Sequence, residues 1–327
     1  MVKRVIVTGA AGFVGANLAR RLLKDGHQVH LLLRRNYNPW RIAAIQSDVR
    51  LREVDFADKR RLSQIVHEIR PDWVFHVAAH GAYPTQVDLQ QMIQTNLIAT
   101  INLVEACLKE GFDTFVNTGS SSEYGFKSSA PNEREWLEPN SYYAWTKAAG
   151  TLFCRYVSQH CGAQITTLRL YSVYGPYEEP TRLIPSLVTQ GLSGRFPPLA
   201  DPDVARDYVH VEDVNDAYLL AAKCSPKELG AVYNVGTGCQ TPLRQVVEVA
   251  RQVMNISAEP QWGTMPNRAW DTYTWVSDSR RIDEALGWRS KYTFEQGFRG
   301  LVDWFREDRS RLAFYLSYNK TNRQSTQ

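Results

Sequence analysis

Short apolar runs alternate with amphipathic helical stretches through the first half of the chain, the pattern produced by a parallel sheet with helices on both faces. The runs predict strands over residues 4–8, 28–33, 49–54, 73–77, 114–118 and 165–170, and helices over 13–25, 59–69, 88–110 and 141–161. Pro71 after Arg70 marks one helix end and Gly111 caps another. After about residue 171 the pattern loosens into Gly, Pro and aromatic segments, such as Tyr174-Gly175-Pro176-Tyr177 and Arg195-Phe196-Pro197-Pro198. These read as loops and short helices of a smaller lobe over the carboxyl ends of the strands, where open sheets bind ligands. Residues 207–222 read as a strand and helix returning to the first domain, and the polar stretch Asn319 to Gln327 as a fraying end.

Where the first strand meets the first helix stands Gly9-Ala10-Ala11-Gly12-Phe13-Val14-Gly15. Glycines at these places let the backbone turn tightly and approach a pyrophosphate, whose charge sits at the positive end of the following helix. The expected fold class is therefore α/β, a Rossmann-type doubly wound parallel sheet with a smaller C-terminal substrate lobe. Residues 1–170 plus about 206–250 would form the dinucleotide-binding domain, and about 171–205 and 251–327 the other lobe.

A length of 327 residues with 43% hydrophobic content supplies core for both parts. The net charge of +4 is small and its 38 basic residues are spread along the chain, so nucleic acid is not an expected partner. Cys107, Cys154, Cys161, Cys224 and Cys239 show no Cys-x-x-Cys spacing and no histidine grouping, which argues against a metal site and for reduced thiols in cytoplasm. The apolar start is broken by Gly9, Gly12 and Asn17 and runs into Arg20-Arg21, so it reads as strand and helix instead of a targeting segment. No apolar stretch is long enough to span a bilayer.

The second chemical signature is Tyr143-Ala144-Trp145-Thr146-Lys147 in the helix over 141–161. A four-residue spacing puts Tyr143 and Lys147 on one face, where the ammonium would lower a phenol pKa that is ordinarily about 10. Ser120 would complete the set by hydrogen-bonding the reacting oxygen. The second strand ends in Arg34-Arg35, where a cofactor lacking a 2′-phosphate usually meets Asp or Glu on its ribose. Two guanidinium groups there favour NADP, with NAD the alternative.

With these two motifs the chain resembles the extended short-chain dehydrogenase/reductase family, the NAD-dependent epimerase/dehydratase group, and especially its nucleotide-sugar enzymes. The resemblance extends over nearly the whole chain. It includes Asp55-Phe56, His76-Val77-Ala78-Ala79, Asn96, the run Arg169 to Pro176, the run Arg206 to Val214, Asn234-Val235-Gly236 and Arg268-Ala269-Trp270-Asp271. It implies cofactor contacts from Gly9, Gly12, Phe13, Val14, Gly15, Arg34, Arg35, Asp55, Phe56, Ala78, Ala79, Asn96, Tyr143 and Lys147. Catalysis falls to Ser120, Tyr143 and Lys147. A nucleotide-diphosphate sugar would meet Ser121, Ser122, Ser172, Arg182, Arg206 and Arg268, the last two clamping the diphosphate. Ser172 departs from the asparagine usual in its position.

The segment Thr118-Gly119-Ser120-Ser121-Ser122-Glu123-Tyr124-Gly125 bears on the reaction. Dehydratases of the family place carboxyl groups immediately after the catalytic hydroxyl residue, whereas Ser121 and Ser122 stand there in this chain. The run looks more like that of reductases acting on GDP-4-keto-6-deoxy sugars, which need hydride from NADPH and a proton from Tyr143. A nucleotide-sugar 4-epimerase with bound NAD(P) is the alternative; a 4,6-dehydratase, for which Glu123 would have to reach inward, and a non-catalytic NAD(P) sensor rank lower. The helices over 88–110 and 141–161 resemble those that pair in the family's four-helix homodimer interface, and Leu97, Ile101, Leu103, Leu152, Phe153 and Val157 are apolar candidates for it or for the core.

Overall fold

The computed structural model describes residues 1–83, 85–224, 228–266 and 272–324. Strand β1 (Arg4–Thr8) passes through the glycine turn into α1 (Phe13–Lys24), followed by β2 (Gln28–Leu33), β3 (Arg50–Glu53), α2 (Lys59–Ile69) and β4 (Trp73–His76). After α3 (Leu89–Ile93) and α4 (Ala99–Glu110) come β5 (Thr114–Ser120), α5 (Tyr142–Cys161) and β6 (Ile165–Leu170). Beyond β6 the order is β7 (Ser172–Tyr174), α6 (Leu183–Gly191), β8 (Ala205–Arg206), β9 (Tyr208–His210), α7 (Val211–Lys223), β10 (Val232–Val235) and β11 (Thr241–Pro242). Helices α8 (Leu243–Met254), α9 (Arg280–Leu286), α10 (Phe294–Glu307) and α11 (Arg309–Gln324) complete it.

Seven strands form one sheet in the order β10-β6-β5-β4-β1-β2-β3, and every neighbouring pair is parallel. The chain runs outward from β1 to β3, then crosses back to place β4 on the other side of β1, so the cleft between the two halves opens at their carboxyl ends. Successive side chains point to opposite faces. Val5 and Val7, Leu31 and Leu33, and Trp73 and Phe75 enter one buried cluster, while Ile6, Leu32 and Val74 enter the other. Burial on both faces explains why these strands are almost unbroken apolar runs.

The structure departs from the expected elements in four places. A seventh strand, β10, pairs with β6 in register from Val232↔Thr167 to Val235↔Leu170. The helix expected over 88–110 is interrupted by a π turn at Gln94–Ile98, where the Asn96 side chain is pulled to the backbone of His80 and Thr100 Oγ1 donates to the Asn96 carbonyl oxygen. Such turns absorb one extra residue into a helix and often mark functional sites. Packing also divides the later chain otherwise than at 250. Helix α8 buries Val246 and Val247 with Ile184 and Leu187 of α6 and Phe298, Leu301 and Val302 of α10, away from the sheet. Helix α9 goes the other way, adding Ile282 and Leu286 to the sheet core. The tail expected to fray continues as α11 to Gln324, with Tyr315 buried against the second lobe.

Candidate active site

A cavity of about 1430 Å³ lies along the carboxyl ends of the sheet. Ligand pockets commonly hold about 300–1,000 Å³, so this one is large enough for two ligands end to end. The residues after β1, β2, β3 and β4, the last residues of β5 and those after β6 all reach it, and among the described residues of the second lobe Arg182, Ile184, Pro198, Arg206, Met265 and Trp275 stand on the opposite wall.

The glycine turn is built for close approach. Gly9 has φ +66°, and a Cβ there would lie 2.6 Å from the Ala78 backbone nitrogen; a Cβ on Gly15 would lie 2.4 Å from the Gly9 carbonyl oxygen. Helix α1 starts at Gly12 with no side-chain cap and no acidic residue in its first turn. Its leading N–H groups are thus left for an anion, which is what a dinucleotide pyrophosphate requires. Phe13, Val14, Asp55, Phe56, Ala78 and Ala79 line the same end of the cavity.

Arg34 and Arg35 both stand on the wall beyond β2 and are exposed. Arg34 faces inward: burial first, and then the Arg34 charge, hold the His80 pKa below its ordinary value. Arg35 leans outward to Glu53 at 3.8 Å, a solvent-exposed pair.

The proton-handling groups meet where β5 ends and α5 begins. Ser120 is the last residue of β5, and Tyr143 lies in the first turn of α5, which Ser141 caps by accepting from the Ala144 N–H. Burial pushes the Tyr143 pKa up to about 12, and its hydrogen bond with Ser120 offsets part of that. Burial lowers the Lys147 pKa, opposed by Glu123. Glu123, Arg182 and Tyr83 also bear on Tyr143, and the Lys147 charge bears on His76 and Cys154. A tyrosinate at neutral pH would need a further positive charge beside the hydroxyl.

Glu123 does not reach into the cavity. Its Oε1 accepts from the Ser120 N–H at 2.8 Å and from the Thr151 hydroxyl at 3.0 Å, and its Oε2 accepts from Arg169 Nε at 2.8 Å. Ser121 and Ser122 line the cavity beside Ser120.

Asn96 is also behind the wall. It is 1% exposed, and its amide accepts from the His80 N–H and donates to the His80 carbonyl oxygen and Thr146 Oγ1. It supports the cavity-lining residues after β4 from the second layer. Lys147, 4% exposed, is likewise absent from the lining.

On the substrate side Ser172, Arg182 and Arg206 line the cavity, and Arg206 lies over the Trp275 ring at 5.4 Å. Arg268 and Trp270 lie outside the described residues. The sequence reading missed Arg41, Tyr83, Glu178, Tyr208 and Trp275, which also line the cavity. No spacing rule marks them: Tyr208 comes from the short strand β9, and the other four are brought in by loops whose paths are set elsewhere in the fold. Among the described residues no group of His, Cys, Asp and Glu could hold a metal ion, and no helix is long and apolar enough to cross a membrane.

A glycine-turn dinucleotide cleft joined to a Ser, Tyr and Lys set at the β5/α5 corner defines a nicotinamide-dependent oxidoreductase of the extended short-chain type. Residues 5–236 match the NAD dependent epimerase/dehydratase family, and the chain belongs to that family of nucleotide-sugar enzymes. It is 31% identical over 320 residues to a UDP-glucose 4-epimerase of Mycolicibacterium smegmatis, covering 93% of this chain and 98% of the relative. It is 28% identical over 316 residues to the GDP-6-deoxy-D-mannose reductase of Pseudomonas aeruginosa, with 93% and 98% covered. The UDP-glucose 4-epimerase of Thermus thermophilus, solved in complex with NAD, superimposes with a TM-score of 0.81 at 30% identity over 92% of this chain and 98% of that one.

Proposed function

We propose that the chain is an NADPH-dependent 4-ketoreductase acting on a nucleotide-diphosphate-linked 6-deoxyhexose. The observation that carries the cofactor choice is the pair Arg34 and Arg35 on the cavity wall beyond β2, since guanidinium groups suit a 2′-phosphate and a carboxylate there would repel it. NADPH supplies the hydride. Tyr143, protonated at neutral pH, gives its proton to the C4 oxygen as the carbonyl becomes an alcohol. Ser120 Oγ holds that oxygen, and Lys147 would hold the cofactor ribose from the next turn of α5. Arg206 and Arg268 would take the diphosphate, with Ser121, Ser122, Ser172 and Arg182 around the sugar.

Elimination of a C6 hydroxyl is disfavoured because Ser121 and Ser122 are poor acids and bases and Glu123 is committed to Arg169. The second reading is a 4-epimerase with resident NAD, favoured by the UDP-glucose 4-epimerase relatives and by the NAD in the Thermus thermophilus structure. NADPH and NADH consumption against GDP-, CDP-, UDP- and dTDP-4-keto-6-deoxy sugars, with products followed by chromatography, separates the two. Stoichiometric oxidation of NADPH is the expected result; interconversion of ordinary sugar nucleotides without net oxidation would replace it with epimerisation.

The exposed face of α5 carries Trp145, Leu152 and Tyr156 at 46%, 57% and 62% exposure, which supports a homodimer built on this helix; light scattering tests it. Leu103 and Val157, by contrast, are core residues. Five free thiols suit a reducing compartment and support a cytoplasmic location.

A further inference from the structure

The loop between β7 and α6 is held in an uncommon shape by residues from two other segments, α1 and the loop after β2. Tyr177 has φ +68°, a region that non-glycine side chains rarely adopt. Asn17 Nδ2 donates to the Pro176 carbonyl oxygen at 2.9 Å, Arg41 Nε donates to that of Tyr177 at 2.8 Å, and the Arg20 guanidinium lies 3.9 Å from the Tyr177 ring centroid. The clamp brings Glu178 to the cavity wall.

Glu178 is 5% exposed, and its Oε2 is buried without a hydrogen-bond partner in the protein. Its Oε1 is 3.7 Å from Arg182 Nε, too far for a hydrogen bond. The adjacent Glu179 is instead spent on Arg41 at 2.8 Å. The groups facing Glu178 are Arg182 at the start of α6, Arg41 from the loop after β2, Glu179, Tyr83 from the loop after β4, Tyr174 of β7 and Tyr315 of α11. Burial raises the Glu178 pKa to about 8 against the opposing pull of Arg182, a backbone hydrogen bond from Gly175, and Arg41. The group is therefore chiefly a neutral carboxylic acid at pH 7, able to donate as well as accept. Arg182 and Tyr83 also act on Tyr143, so this wall stands across from the proton donor.

We infer that Glu178 is a substrate-positioning residue whose carboxyl, with its Oε2 left without a hydrogen-bond partner by the protein, hydrogen-bonds an oxygen of the hexose and, with Arg182, sets the sugar against Tyr143. The inference rests on the cavity being a nucleotide-sugar site and is independent of the choice between reduction and epimerisation.

Calorimetric titration of the holoprotein with GDP-mannose, UDP-glucose and dTDP-glucose identifies the sugar nucleotide bound most tightly. The quantity read is the ratio of its affinity to that of its free nucleoside diphosphate. Glu178→Ala should lower that ratio roughly 3- to 10-fold, while Glu178→Gln, which keeps a donor, should hold it within about twofold. Above pH 8 the parent should lose the sugar's advantage as the carboxyl ionises, and Glu178→Gln should not. The inference is overturned if Glu178→Ala leaves the ratio unchanged, if sugar and diphosphate weaken equally, if only NADP(H) affinity changes, or if the parent's ratio is flat across pH 7–9. NADPH oxidation decides the reaction separately, so failure of either reading leaves the other standing.

Discussion

Replacing Glu123 by glutamine distinguishes a structural carboxylate from a catalytic one. Glutamine keeps the volume and the Oε1 acceptor for the Ser120 N–H and the Thr151 hydroxyl. It also places an NH₂ opposite Arg169 Nε and removes the counter-charge of a guanidinium side chain that is 3% exposed. Breaking one side of a buried pair costs about 3–5 kcal/mol, a large share of a total of about 5–15 kcal/mol. With a urea slope of about 3 kcal/mol/M, the unfolding midpoint should fall by roughly 1–1.7 M. Adding Arg169→Leu removes the stranded charge and should recover at least half of the loss, a coupling of about 2 kcal/mol or more. Recovery stays incomplete because the Tyr124 hydroxyl then loses the Arg169 donor at 2.8 Å. If Glu123→Gln unfolds within about 0.5 kcal/mol of the parent and yet abolishes turnover, Glu123 is a chemical group in the cavity and the assignment fails.

Four further outcomes are expected. Arg34→Ala should weaken NADPH by about 10- to 150-fold, the worth of one charge-assisted contact, and leave NADH unchanged; equal effects on both in fluorescence titrations would remove the case for a 2′-phosphate site. Gly15→Ala puts a Cβ against the Gly9 carbonyl oxygen and should cost about 1–3 kcal/mol of cofactor binding, with calorimetry as the check and unaltered affinity as the contrary result. Because Tyr143 keeps its proton until about pH 12, reduction should show no tyrosine-dependent fall up to pH 10, while Tyr143→Phe should lose on the order of 10²-fold or more in kcat; undiminished turnover would remove it as proton donor. Burial pushes His30, His76 and His210 down to about 4, 3 and 4, so the unfolded chain takes up three protons near pH 6.5 that the fold refuses, against one that the fold retains on Glu178. Stability by urea unfolding should therefore fall on acidification from pH 7 to 5 as the unfolded histidines take up protons, and a flat profile would contradict it.

The parts legible in the sequence are those whose cause is local. The glycine turn needs three glycines and a helix start, and Tyr143 and Lys147 share a face by spacing alone, so six strands and both motifs could be read directly. The unread parts are made by contacts between distant segments. The π turn forms because Asn96 reaches the His80 backbone and because Gly150 leaves α5 only 3.1 Å from the Asn96 carbonyl oxygen, measured from where a Cβ would stand. Glu178 is held at the cavity by contacts from distant segments, Asn17, Arg20 and Arg41 on the residues before it and the Tyr315 hydroxyl on its own carbonyl oxygen. Helix α8 is equally amphipathic whichever core it joins, so its partner was invisible until α6 and α10 were in place.

The distribution of carboxylates is what ties this fold to its chemistry. Asp207 is consumed by donors from Thr237, Gly238 and Ser277, Glu133 by the Asn234 N–H, Glu179 by Arg41 and Glu123 by Arg169. Among the described residues the acidic side chains lining the cavity are Glu53, Asp55 and Glu178. The first two belong to the β3 end, beside the arginines that follow β2. That leaves the reacting end with one carboxyl, and burial keeps it chiefly protonated at neutral pH. A protonated carboxyl can assist a leaving group but cannot take a proton from carbon, and elimination needs both acts. Hydride transfer at C4, as proposed, needs neither, only a proton at the oxygen, which in that reading comes from Tyr143 beside Ser120.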